Sequence, residues 1–236
     1  MIAPTKQSLI DGSFYESLYA NARSDYFKLY VEDGIPNQAQ QINQHYVDLA
    51  IWLLGLPPGA RVLEAGCGVG HKIGCWNRRG FDCRGVEVSH TARILSPHRE
   101  RIDVGNVSEL ETLYGDSSFD LVFSHGLMEH IDDSVLSRTI DGFFRVSTRQ
   151  FHVISVDKGV DPGHIQVLDA AEWHKRFAAR MGERARTVGV IPDFIMQETR
   201  EVILIESYWG LLPYPVKKMF AAMHGKKIKT EKEISE

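Results

Sequence analysis

From position 61 onward, strand-length apolar runs alternate with longer stretches in which apolar residues recur three and four apart. The runs RVLEA (61–65), DCRGVEV (82–88), FDLVFS (119–124) and FHVISV (151–156) are rich in β-branched and aromatic residues and predict strands, with a weaker strand near 100–104. The stretches between them predict helices around 70–80, 107–114, 132–145 and 169–181, plus a short one after position 88. ARTVGVI (185–191) and EVILIESY (201–208) predict a closing pair of strands. Strands alternating with helices imply βαβ units, hence a doubly wound α/β domain with a mainly parallel seven-stranded sheet and helices on both faces. In such sheets ligands bind outside the carboxyl ends of the strands.

Residues 1–60 carry no strand signal. FYESLYANARSDYFKLYVED (14–33) has aromatics at mixed spacings, and NQHYVDLAIWLLGL (43–56) reads as an amphipathic helix ending at Gly55. LPPGA then stops it, because proline cannot continue a helix. The expected organisation is an N-terminal helical attachment or lid over 1–58, a central domain over 59–210, and a C-terminal helix with a charged tail over 211–236.

Composition narrows the class. Across 236 residues, 43% are hydrophobic and 25% charged, as in ordinary globular proteins. The longest apolar runs are far short of a membrane span. The N-terminus lacks the basic start and apolar core of a secretory signal, so a cytoplasmic location is expected. A net charge of −4 offers no bulk attraction to nucleic acid, which is not expected as a partner. The lysine-rich tail could touch an anionic membrane, but a docked helix with a solvated end is the favoured reading. Cys67, Cys75 and Cys83 form no CxxC pair, and an odd count argues for ordinary reduced thiols.

VLEAGCGVG (62–70) is the most informative segment. Glycines at 66, 68 and 70 let the main chain turn and approach a ligand with no side chain between them, and the helix that follows offers free N–H groups. A dinucleotide site would want its third glycine at position 71, which is histidine, and Glu64 would sit awkwardly beside a pyrophosphate. Glu87, at the end of the second strand, is placed to accept hydrogen bonds from ribose hydroxyls.

VLEAGCGVG, GVEVS (85–89) and FDLVFSHGLMEHIDD (119–133) together resemble three successive motifs of class I S-adenosylmethionine-dependent methyltransferases with a type 11-like domain, over about residues 60–145. The resemblance implies a Rossmann-like fold and S-adenosyl-L-methionine as cofactor. Carried over residue by residue, it implies that Glu64, Gly66, Cys67, Gly68 and Gly70 surround the methionine moiety and that Glu87 and Val88 bind the ribose. It implies Asn106 and Val107 at the adenine, although many members carry Asp in place of Asn106. Ser124 and His125 would complete the cofactor site.

Methyl transfer to oxygen or nitrogen wants a base beside the acceptor, and histidine has a suitable pKa. SHGLMEHIDD (124–133) supplies Glu129, His130, Asp132 and Asp133; the segment after the fifth strand supplies Asp157, Asp161 and His164. The candidate catalytic residues are His130, His164 and Glu129. The stretch also resembles ubiquinone-pathway O-methyltransferases and small-RNA 3′-end methyltransferases, which use E-x-x-E-H there for a divalent metal. A mixed histidine and carboxylate set is reasonable for such an ion, but the first acid of that pattern is Gly126 in this chain, and no metal is expected. DPGHIQVLDAAEWHKRF (161–177) also resembles a segment of bacterial methyltransferases that modify sugars, pointing to a small-molecule or glycan-type acceptor. Locally it reads as a turn at Pro162 and a helix capped by Asp169, with Glu172 three residues on. Tyr15, Tyr19, Tyr26, Phe27 and Tyr30 are candidates for a lid. A nicotinamide-dinucleotide oxidoreductase and a catalytically inactive partner protein of the same fold stand as alternatives.

Overall fold

Apolar residues that follow one another along the central strands go to opposite faces of the sheet, and both faces are covered. In the computed structural model, which describes residues 4–21, 37–155, 163–166, 168, 170–181, 187–192 and 200–205, β1 (Arg61–Ala65), β2 (Asp82–Glu87), β3 (Ile102–Val104), β4 (Leu121–His125) and β5 (Gln150–Ser155) are parallel. Their spatial order is β3-β2-β1-β4-β5. Beyond β5, β6 (Thr187–Pro192) and β7 (Arg200–Ile205) form an antiparallel pair, with β7 against β5. The chain runs outward from β1 to β3 and returns to β4 on the other side of β1, which opens the crevice used for ligands in such sheets.

The helices are α1 (Lys6–Ile10), α2 (Ser13–Ala20), α3 (Asn37–Leu54), α4 (His71–Arg78), α5 (His90–Leu95), α6 (Asp133–Val146) and α7 (Ala170–Met181). On one face, Tyr46, Val47 and Ala50 of α3 and Trp76 of α4 pack with Val62, Cys83, Phe123 and Phe151. On the other, Leu136, Ile140 and Phe143 of α6 and Trp173 and Phe177 of α7 pack with Leu63, Val86, Val122 and Ile154. Each valine, leucine, isoleucine or phenylalanine among them contributes about 1.5–3 kcal/mol by leaving water.

Two elements depart from the sequence reading. Helix α3 begins at Asn37, ahead of the expected 43, and ends as read: Gly55 takes φ +56° and the Leu56 N–H bonds back to the Ile51 carbonyl at 3.2 Å. Val107–Thr112 is a 3-10 helix rather than an α-helix, with Glu109 outside helical geometry. Its buried residues Val107 and Leu110 are three apart, which matches three residues per turn.

Beneath β4 and β5 lies a buried polar chain. The His152 ring is fully enclosed, with the Phe143 and Phe177 rings at 5.3 and 4.8 Å. Gln150 Nε2 donates to the Phe143 and Ser147 carbonyls, so its Oε1 accepts from His152 Nε2 at 3.1 Å. His152 Nδ1 then accepts the Ser124 hydroxyl proton at 2.7 Å. Burial drives the imidazole pKa down to about 3, which keeps this pair of hydrogen bonds intact in the neutral ring.

Candidate functional site

The end of β1 is built almost wholly from main chain. Gly66, Gly68 and Gly70 have φ values of +65°, +54° and +77°, a region that L side chains rarely enter. A Cβ on Gly66 would lie 2.7 Å from Leu127 Cδ1, and one on Gly68 would lie 2.6 Å from the Tyr19 hydroxyl. The Gly66 and Cys67 N–H groups bond to the Val86 carbonyl, and Gly70 caps α4. Cys67 is buried, with its sulfur where a Cβ on Gly85 would sit, so it fills the space between strands.

Glu87 fastens the turn to β2. One carboxylate oxygen accepts from the Gly68 N–H and the other from the Ser89 N–H, both at 2.9 Å. A carboxylate has about four acceptor positions, so two remain for hydroxyl donors. Burial raises its pKa, and the backbone donors oppose the rise. Glu64, also buried, is pushed up to about 7 by desolvation, with the Lys72 ammonium at 3.9 Å acting against the shift. Its Oε2 is buried with no hydrogen-bond partner among the described residues.

An N-terminal strap formed by α1 and α2 crosses the ends of these strands. Gly12 approaches so closely that a Cβ there would meet Val88 Cγ2 at 2.0 Å. Glu16 accepts from Ser89 Oγ at 2.6 Å, from the Thr91 N–H at 3.1 Å and from the Thr91 hydroxyl. Burial raises the Glu16 carboxyl, but those three donors outweigh it and hold the pKa below its ordinary value. Asn106 Nδ2 donates to the Ile10 carbonyl at 2.6 Å, while its Oδ1 accepts from the Ser108 N–H and hydroxyl. Aspartate could not make the first of these bonds, which gives a structural reason for asparagine at this position.

The predicted cofactor residues thus fall into two groups. Gly66, Gly68, Gly70 and Glu87 are brought together directly, with Glu64 buried behind them and Val88 under the strap. Val107 is buried in the core formed with α6, and Asn106 is engaged with the strap. The Ser124 hydroxyl points into the core at His152 rather than toward the turn. The His125 ring lies against Tyr46 of α3, centroids 4.9 Å apart.

On the other side of the crevice, Gly126, at φ +65°, turns the chain out of β4 and donates its N–H to Val153. The loop continues into the 3-10 turn Met128–His130. The Ile165 and Gln166 N–H groups bond to the Glu129 carbonyl at 3.0 and 2.9 Å, clamping the segment after β5 onto this turn. The clamp places Glu129, His130 and His164 together: one ligand atom from each lies within 4.8 Å of the others. Glu129 is fully buried and both histidines are half-buried. The two imidazoles meet edge to face at 4.8 Å, and Tyr15 of the strap meets His130 the same way at 5.7 Å. Asp132 is spent on capping α6 and pairing with Lys6, and Asp133 on pairing with Arg176. Asp157, Asp161, Asp169, Tyr26, Phe27, Tyr30 and the tail over 211–236 lie outside the described residues.

Sequence reasoning missed Glu16. Its partners Ser89 and Thr91 are 73 and 75 residues away, and nothing local marks a surface-helix glutamate as a tether. Among the described residues no helix is long and apolar enough to cross a membrane.

Residues 63–150 match a family model described as a methyltransferase domain. No curated protein matches the chain. Among solved structures, the chain is similar to 1,6-didemethyltoxoflavin-N1-methyltransferase of Burkholderia thailandensis, solved with 1,6-didemethyltoxoflavin and S-adenosylhomocysteine bound. The TM-score is 0.61 at 16% identity, over 87% of this chain and 92% of that one. Magnesium protoporphyrin IX methyltransferase from Synechocystis PCC 6803, with S-adenosylmethionine bound, gives 0.55 at 15% identity, over 85% and 94%. A putative methyltransferase from an antibiotic biosynthesis pathway of Anabaena variabilis ATCC 29413 gives 0.53 at 18% identity; the match spans 62% of this chain and only 63% of that one.

Proposed function

We propose that the chain, which matches a methyltransferase domain over residues 63–150 and shares the fold of solved methyltransferases, is a class I S-adenosylmethionine-dependent methyltransferase that transfers a methyl group to oxygen or nitrogen of a small-molecule or glycan-type acceptor, with His130 or His164 as general base. The observation that carries this reading is the clamped group of Glu129, His130 and His164 beside the glycine turn.

The residues at the turn suit the cofactor. Gly66 and Gly68 leave backbone bare against the methionine part, and the buried, unbonded Oε2 of Glu64 favours the ammonium end. Glu87 keeps acceptor capacity for ribose hydroxyls. The α1–α2 strap acts as a lid, with Tyr19 over Gly68 and Tyr15 beside His130. When bound, S-adenosyl-L-methionine supplies a sulfonium methyl as electrophile. The protein's tasks are then alignment and proton removal. An imidazole nitrogen of His130 or His164 would take the proton from the acceptor heteroatom, the sulfonium being the group that would give up its methyl and keep the bonding pair on sulfur. Glu129, buried beside both rings, favours the imidazolium that results.

The test is a screen of hydroxylated and amino acceptors, including nucleotide sugars, for release of S-adenosylhomocysteine. Turnover should fall by about 10²–10⁴-fold in whichever of His130→Ala or His164→Ala removes the base, with cofactor binding retained. Full turnover in both variants would remove the proposed base.

A further inference from the structure

Acid–base work needs only one of the two imidazoles, yet the fold brings both to one buried carboxylate. We propose that Glu129, His130 and His164 form a binding site for a borderline divalent cation of the zinc type, and that an ion held there withdraws both imidazoles from proton transfer. The site would make methyl transfer sensitive to such ions. This regulation rests on the proposed histidine base, whereas cation binding itself does not.

Three features carry the inference. The donor set is two imidazoles and one carboxylate, which suits zinc and neighbouring first-row ions rather than magnesium or calcium. The donors are held by the main chain: the Ile165 and Gln166 N–H groups bond to the Glu129 carbonyl, so the ligands from the two loops keep a fixed relation. The separations point the same way: a tetrahedral ion with bonds of about 2.0–2.1 Å spaces its ligand atoms about 3.3 Å apart, and one ligand atom from each of the three residues already lies within 4.8 Å of the others. Three protein ligands leave a fourth position open, as in zinc sites that also bind water or another ligand. Glu129 contributes a fully buried carboxylate, which gains most from a cationic neighbour. Both histidines are half-buried, so an ion can reach them from solvent. A proton bound to either ligating nitrogen has to leave when the ion enters, so a bound ion and a working base exclude each other.

The experiment is a calorimetric titration of the purified, chelator-treated full chain with zinc chloride, repeated with cobalt(II) while following visible absorption. The expected result is one ion per chain, with affinity lowered at least about tenfold by each of Glu129→Gln, His130→Ala and His164→Ala, and unchanged by His90→Ala on the exposed start of α5. Zinc should also move the His130 and His164 ring-proton resonances, and the movement should be lost in Glu129→Gln. Thermal unfolding of each variant separates loss of a ligand from loss of the fold, and a histidine variant that unfolds is replaced by the glutamine variant at the same position, His130→Gln or His164→Gln. Absence of saturable binding, or binding that all three ligand variants leave intact, overturns the site. Binding that leaves both ring resonances unmoved overturns the sequestration. Because the titration uses neither cofactor nor acceptor, zinc binding without turnover would count against the proposed function alone, and turnover without zinc binding against this inference alone.

Discussion

The glycine turn and the histidine cluster sit at the ends of neighbouring strands, but they are built by opposite means. At the turn, the shape belongs to the backbone: three positive-φ glycines, carbonyl and N–H bonds to β2, and one carboxylate that ties Gly68 to Ser89. At the cluster, the chemistry belongs to side chains delivered by two loops, which the bonds to the Glu129 carbonyl hold in register. A backbone site tolerates almost no added atoms and binds a constant ligand. A side-chain site on clamped loops can change its partner by changing residues, which is why the acceptor is harder to read than the cofactor.

The largest effect should come from filling the turn. Gly68→Asp puts a side chain at φ +54°, against the Tyr19 hydroxyl and beside Glu87. It is expected to weaken S-adenosylhomocysteine binding by more than about 100-fold, or ~2.7 kcal/mol, with circular dichroism unchanged. Affinity within a few-fold of wild type would break the contrast at its firmest point.

Next in size is the support under the loops that carry the histidine cluster. His152 has a folded-state pKa of about 3 against an ordinary 6.5. The folded ring stays neutral while the unfolded one takes up a proton below pH 6.5. Its contribution to stability is therefore complete above pH 6.5 and drains away as pH falls toward 3. Between pH 7 and pH 5 the loss is about 2 kcal/mol. Glu64, with a raised pKa, acts in the opposite direction over part of this range, so the comparison to make is wild type against His152→Gln. The stability gap between them, from denaturant unfolding, should narrow by about that amount on acidification; a constant gap would mean His152 is not held neutral.

A smaller effect sharpens the cofactor side. With Glu64 titrating at about 7, its carboxylate is mostly protonated at pH 6 and mostly ionised at pH 8. S-adenosylhomocysteine affinity should rise about tenfold over that interval and stay flat in Glu64→Gln. A flat wild-type profile would remove Glu64 from the site. Smallest, Glu16→Ala should loosen the strap, costing about 1–2 kcal/mol in unfolding stability for the lost hydrogen bonds to a carboxylate and speeding cofactor release. An unchanged dissociation rate would mean the strap is not a lid.

Strand β1 and its turn were legible because both rules are local: RVLEA forms β1 with the bounds expected, and the glycines adopt the conformations only glycine favours. The parallel pairing of β1 to β5 followed from the alternation of strands and helices. Where a residue's partner is remote in sequence, the pattern carried no signal. Glu16 meets Ser89, Asn106 meets Ile10, and Ser124 turns to His152 instead of the crevice, each through a tertiary contact that propensity does not encode. Asp132 and Asp133 looked like site acids from their position, but the start of α6 uses them as cap and ion-pair partner. The His130–His164 meeting was half visible: both residues were singled out, while the clamp that joins them is made of main-chain bonds.

The most direct test of the central claim is a calorimetric titration of the purified chain with S-adenosylhomocysteine, paired with thermal unfolding. Saturable binding at one site per chain, with stabilisation of about 2.7 kcal/mol at a hundred times the dissociation constant, is the expected result. A folded, ligand-free chain that gives neither heat nor stabilisation would contradict the cofactor site at the β1 turn.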